Sequence, residues 1–353
     1  MSSRGTVNPL GITMGDPAGI GPEVLMRTLH VRASERPPLV LIGSRWALAE
    51  GAAAAGLPEP DLPEIATPGE LDAGVGIIDI GIKRPAGFRF GAVDAACGAH
   101  AVLAVERAAE LCMAGRLAAM VTAPINKEAV HAAGYVDDIG HQEILARITQ
   151  AALTATMLMT PGLRVVHLST HKPLTEAARY VTRGNVLAKL RLADRSLSGW
   201  GLPRARIAVA ALNPHGGEGG MLGREEIEEL GPAVGDARAR GIDAQGPIPA
   251  DSVFNRAIAG EFDAVLALYH DQGHIAVKVH DFHGSTTATL GIPFVRTSVD
   301  HGTAFDIAGL GRADPRGMAA ALDAATALVE GRLASLWPAA ANSAAVPAQR
   351  NHP

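Results

Sequence analysis

The chain has 353 residues, with 31 Lys plus Arg against 36 Asp plus Glu and a formal net charge of −5. That length suits two domains or one large α/β unit, and 48% hydrophobic against 19% charged residues excludes a disordered chain. The acidic balance argues against a nucleic-acid binder, and two cysteines, Cys97 and Cys112, supply neither a disulfide framework nor a four-thiolate zinc site.

In chain order, the opening MSSRGTVNPL has no apolar core of signal-peptide length. No run of 18 apolar residues follows anywhere, so no membrane span and a cytoplasmic location are expected. Short apolar runs predict strands over 9–14, 38–43, 75–80, 117–123, 154–159, 164–169, 206–212, 262–268 and 286–291. Amphipathic stretches between them include 95–117 and 317–333, the latter placing Leu322, Ala325, Leu328 and Val329 on one face. Strands apolar on both faces and separated by helices imply a mostly parallel sheet covered by helices, an α/β fold. No linker separates two halves. The boundary is set near 128, giving a discontinuous first domain of 1–128 plus 300–337 and a second of 129–299. The aperiodic segment 338–353 reads as a flexible tail.

In open parallel sheets ligands sit beyond the carboxyl ends of strands, so the residues that follow each apolar run are the first candidates. Gly15-Asp16-Pro17 follows the first run, and Asn126 and Lys127 follow the fourth. Three other runs lead into His171, His215 and His270. Three imidazoles with a vacancy suit a catalytic divalent metal; equally, each histidine can simply bond a loop. Separations of 44 and 55 residues are no metal motif in themselves. Asp271 beside His270 is either a ligand or the acceptor that orients an imidazole. Lys278 reads either as a solvated lysine or as a contact for an anion. The segment NPHGGEGGMLGREE and the start GDPAGIGPE both fail the dinucleotide fingerprint. Asp300, His301, Thr303 and Asp306 share a glycine-punctuated loop, which is either a nucleotide cradle or a capped approach to a helix.

Taken together, MGDPAGIGPE, TAPINKEAV, GHQEILA, STHKPL, LNPHGGEGG, DSVF, YHDQG and RTSVDHGTAFDIAG resemble the PdxA family, the 4-hydroxythreonine-4-phosphate dehydrogenases, from about residue 10 to 335. HGTAFDIAG is also similar to the adenosine-contacting loop of isocitrate and isopropylmalate dehydrogenases, whose fold of two α/β/α domains around a cleft the family shares. The resemblance implies NAD, with NADP as the alternative, on His301, Gly302, Thr303 and Asp306. It implies a divalent metal on His171, His215 and His270, with zinc favoured over Mg, Co, Mn or Ni. It implies a homodimer whose site draws on both subunits, and no nucleic-acid or membrane partner. Substrate contacts carry over to His141, Lys278 and Arg296. Gln142 stands where the family has Thr, and Thr287 where it has Asn, so both contact positions depart.

The implied reaction is oxidation of a hydroxy acid followed by loss of CO2, with Lys278, His141 and Asp271 as catalytic residues. Its expected substrate is 4-phosphohydroxy-L-threonine; the alternatives are threonate or erythronate 4-phosphate and the cis-dihydrodiol of terephthalate. A metal-dependent hydrolase or aldolase and a non-enzymatic binding protein are the rivals from other classes.

Overall fold

The computed structural model describes residues 8–31, 37–71, 73–137 and 140–337; the expected tail at 338–353 lies outside the described residues. Nearly every short apolar run becomes a buried strand, because a strand covered by helices on both faces has no position for a polar side chain. Leu10–Thr13 (β1), Leu39–Gly43 (β2) and Ala119–Thr122 (β4) are buried at every residue, and Val75–Asp79 (β3) emerges only at its ends. Gly21–Val31 (α1), Arg45–Ala55 (α2) and Ala95–Met113 (α3) connect them. Asp94 caps α3 by accepting from the Ala96 and Cys97 amides. Lys127–Ala132 (α4), capped by Asn126, and His141–Thr149 (α5) then lead into the second half.

That half comprises Ala155–Thr160 (β5), Leu163–His167 (β6), Leu174–Tyr180 (α6), Arg183–Gly199 (α7), Ile207–Ala210 (β7), Gly231–Ala239 (α8) and Ala244–Ile248 (β8). Ala250–Ile258 (α9), Ala264–Ala267 (β9), His270–His280 (α10), Thr286–Leu290 (β10), Val295–Val299 (β11) and Arg316–Val329 (α11) complete it.

The strands form one eleven-stranded sheet in the order β3-β2-β1-β4-β11-β10-β5-β6-β9-β7-β8. Pairing is parallel from β3 to β11 and from β6 to β8. Antiparallel pairs β11–β10, β10–β5 and β5–β6 join the two parallel blocks. Leu25, Leu41, Ile77 and Leu322 pack on one face of the first block, and Val40, Val105, Met120 and Leu145 on the other. In the second block Val166, Leu190 and Leu266 pack on one face and Val165, Ala208 and Val253 on the other.

Two strands carried no apolar signal. β8, sequence AQGPI, is a sheet edge, where Gly and Pro are tolerated. β11, sequence VRTSV, is buried but polar, because its side chains enter the site described next. On α11, Leu322, Ala325 and Leu328 are buried as expected, while Val329 is 36% exposed in the last turn. No helix among the described residues is long and apolar enough to cross a membrane.

Candidate active site

The first block reverses its strand order between β1 and β4, which is where an open sheet leaves a crevice. There the turn after β1 meets the turn after β4: the Asp16 amide donates to the Pro124 carbonyl at 3.0 Å. The HGTAFDIAG loop lies over the same turn, with the Ile20 amide donating to the Thr303 carbonyl at 3.0 Å. Glu23 and Arg27 of α1 hold the far end of that loop through the Ala313 amide and the Gly311 carbonyl. Two motifs almost 300 residues apart thus form one wall.

Beside this wall opens a cleft of about 470 Å³. Its floor is a polar patch on the sheet: Thr287, Arg296 and Ser298 of adjacent β10 and β11 line it, and Thr122 of β4 and Thr289 of β10 bond Arg296. Arg296 is 6% exposed. Its described hydrogen bonds all go to hydroxyls, Nε and one terminal nitrogen to Thr122 Oγ1 at 3.1 and 2.6 Å, the other to Thr289 Oγ1 at 3.0 Å. Burial pushes its pKa down to about 9, so it remains cationic at neutral pH. A buried guanidinium bonded only to neutral hydroxyls is a preformed anion site. His141, at the first position of α5, lines the same cleft with its Nε2 buried and unpartnered. Burial, then Arg296, hold its pKa well below the ordinary value, so this imidazole is neutral.

Sheet order explains the histidines. β6, β9 and β7 are consecutive in space, and His171, His270 and His215 follow them. His171 and His270 both line the cleft, with ring centroids 6.4 Å apart. Burial and Lys127 lower the pKa of His171. Gln272 fixes the start of α10: its Nε2 donates to the Ala211 carbonyl after β7, and its Oε1 accepts from the Leu268 amide after β9. His215 stands elsewhere. Residues 215–220 all have positive φ, forming a left-handed turn in which even His215 (51°) and Glu218 (46°) take part. Gly217 suits the turn, since at its φ of 81° a Cβ would also lie 2.8 Å from Glu226 Oε2. Glu226 anchors the turn by accepting from the Leu212 and Asn213 amides, both at 2.8 Å. The His215 side chain is left 67% exposed and outside its own chain's cleft.

Among the described residues no three His, Cys, Asp or Glu side chains converge as a metal site within one chain. The donors nonetheless suit a divalent metal. His270 Nδ1 is held by Asp271 Oδ1 at 2.6 Å, and His215 Nδ1 by Glu218 Oε1 at 2.7 Å, which leaves Nε2 of each as the ligand atom.

The other expected site residues take the following positions. Asp271 is 72% exposed at its side chain and does not line the cleft of the single chain; its Oδ1 holds His270 Nδ1. Lys278 does line the cleft, but its Nζ is engaged by Asp300, 2.8 Å from Oδ2 and 2.6 Å from the carbonyl. His301 and Gly302 face the cleft and Asp306 is exposed. Thr303 is buried against Gly19, where it locks the loop onto the turn after β1.

His274 went unnoticed in the sequence although the HxxxH spacing of HDQGH was available as a signal. It lines the cleft, stacks on His270 at 3.7 Å and 10°, and lies 4.7 Å from His167. Gly273 permits that column, because a Cβ there would come within 2.2 Å of His167 Nε2. Burial pushes the pKa of His167 down to about 3.

Asp16, also singled out by position, is fully buried, and burial raises its pKa to about 7, with Asp94 adding repulsion. The native carboxyl therefore keeps a proton that an unfolded Asp (pKa about 3.9) releases, so its contribution to stability is lost as pH rises from about 4 through 7. Asp16→Asn should therefore gain about 2–3 kcal/mol relative to wild type between pH 5 and pH 8 in urea unfolding. Parallel stability curves for the two proteins would refute the buried, protonated state.

Comparison with known proteins gives the family. The family model described as pyridoxal phosphate biosynthetic protein PdxA matches residues 35–325. The chain is 42% identical over 322 residues to a D-threonate 4-phosphate dehydrogenase of Salmonella typhimurium, covering 90% of this chain and 98% of that one. It is 42% identical to a 4-hydroxythreonine-4-phosphate dehydrogenase of Geobacter metallireducens, covering 88% and 92%. The crystal structure of a 4-hydroxythreonine-4-phosphate dehydrogenase from Klebsiella pneumoniae superposes with a TM-score of 0.83 at 41% identity, over 91% of this chain and 99% of that one. The chain belongs to the PdxA family and is an oxidoreductase of the dehydrogenase type.

Proposed function

We propose that the protein oxidises and decarboxylates a four-carbon hydroxy acid phosphorylated at its far end, using a nicotinamide cofactor and a divalent metal. The observation that carries this reading is Arg296, a buried cation in the cleft whose hydrogen bonds among the described residues all go to neutral hydroxyls. The D-threonate 4-phosphate class is favoured over the 2-amino acid because relatives named for it reach 44–46% identity, against 42% for the Geobacter 4-hydroxythreonine-4-phosphate dehydrogenase. The dihydrodiol of terephthalate is disfavoured because no Phe, Tyr or Trp among the described residues lines the cleft.

Arg296 binds an anionic group through its planar fork, and Lys278, held in place by Asp300, meets a second. Neutral His141 takes the proton of the reacting hydroxyl at Nε2, the atom left without a partner. His171 and His270, with His215 from a second copy of the chain, would hold the metal, zinc being favoured by three imidazoles. His301, Gly302 and Asp306 would hold NAD. Bound here, the metal supplies positive charge for a developing oxygen anion and the nicotinamide ring supplies the hydride acceptor. Oxidation at C3 of threonate 4-phosphate gives a β-keto acid, which loses CO2 to leave a phosphorylated three-carbon ketone.

A homodimer follows from the same reading, since each chain's own His215 lies outside its cleft. Met221, Leu222 and Ile227 soon after His215 in the chain, Ile275 and Val279 on α10, and Phe282 just beyond it are large apolar side chains exposed in the single chain. A reducing cytoplasm suits the free, buried Cys97 and Cys112.

The test is NADH formation by metal-replete protein with D-threonate 4-phosphate, 4-phosphohydroxy-L-threonine and the dihydrodiol side by side. Turnover of the first with at least ten-fold preference is expected. Turnover of the dihydrodiol alone would overturn the proposal.

A further inference from the structure

α5 begins with His141, Gln142 and Glu143, and the Gln142 side chain is tied at both ends to the start of β5 and the residue just before it. Its Nε2 donates to Thr154 Oγ1 at 2.7 Å, and its Oε1 accepts from Thr156 Oγ1 at 3.3 Å. The two threonines are two residues apart along an extended segment, so their side chains share a face. They do not share a space. Thr156 lines the active-site cleft, whereas Thr154 lines a separate cavity of about 270 Å³ with Ser169, Thr170, Lys172 and Tyr180. Gln142, Glu143 and His171 line both. The amide therefore lies across the boundary between the cleft and a second, hydroxyl-lined space. Because a hydroxyl engages each end, the amide's orientation is fixed, and swinging it aside would break both bonds.

We propose that Gln142 sets the length of the substrate chain by closing the cleft against this side cavity. An acid one carbon longer than the native substrate meets the fixed amide. Without that amide, the extra hydroxylated carbon passes into a space lined by Thr154, Ser169 and Thr170, with the Lys172 ammonium 5.0 Å from the Tyr180 ring at its far side. This inference rests on the phosphorylated hydroxy acid reading for its choice of ligands.

The test compares a four-carbon acid, D-threonate 4-phosphate, with a five-carbon pentonate 5-phosphate on metal-replete full-length protein. In the wild type, kcat/KM should favour the shorter acid by about 100-fold, within the range one misfitted carbon can produce. Gln142→Ala should raise the five-carbon to four-carbon ratio at least ten-fold. Thr154→Val with Thr156→Val, which frees the amide without shortening it, should raise the ratio several-fold. A merely structural Gln142 would lower both values alike, and an unchanged ratio in Gln142→Ala overturns the proposal. Calorimetric dissociation constants for the two acids, measured without cofactor, read the same ratio without turnover. If the wild type oxidises neither acid, the proposed function fails, and the binding ratio still decides the role of Gln142. If it binds neither, the partition is overturned with it.

Discussion

Arg296→Met is expected to lower kcat/KM by 10²–10³-fold while leaving the unliganded protein as stable as wild type or more so. The loss follows from removing one member of a buried charge pair formed with the substrate, which costs about 3–5 kcal/mol. The gain follows from the same burial that pushes the guanidinium down to about 9: it loses hydration and receives only the Thr122 and Thr289 hydroxyls in return. Replacing a buried ionic group by an apolar one of similar volume typically leaves stability unchanged or raises it by about 1–4 kcal/mol. Thermal melts with and without inorganic phosphate check both halves. Wild type should be stabilised by the anion, and Arg296→Met should start higher and gain nothing. A variant that is both less stable and still responsive to phosphate would place the anion elsewhere.

His215→Ala is expected to abolish turnover, by more than ~10³-fold, at almost no cost to the fold. The side chain is 67% exposed, and surface substitutions of this kind stay within about 0.5 kcal/mol. His215→Gly should even stabilise by about 1 kcal/mol, because a non-glycine residue at positive φ carries a penalty of that order. Metal content should fall in both variants. If the third imidazole comes from a second copy, dimers mixed from His215→Ala and His270→Ala chains each contain one intact site, and activity returns on co-expression. Full activity in His215→Ala alone would remove it from the ligand set.

The sequence made some of this legible and hid the rest, for a reason visible in particular elements. Apolar runs located β1 to β7, β9 and β10, because burial on both faces leaves a local mark. β11 left none: its Arg296 and Ser298 face a cleft that does not exist until β4 and β10 flank it. Strand ends pointed to His171 and His270 because, in a parallel sheet, chemistry collects where strands finish. The same signal was blind to direction, and the left-handed turn at 215–220 carries His215 away from its own cleft.

By itself the sequence determined the α/β class, the family and the residue types the chemistry needs, since composition, periodicity and motif order are properties of the chain alone. Tertiary structure decided which of those residues meet. It placed β9 between β6 and β7, spent Lys278 on Asp300 and Thr303 on Gly19, and turned Gln142 from a variant contact into a barred wall. Hydrogen-bond partners drawn from distant segments are fixed by how the sheet closes, and no local pattern encodes that.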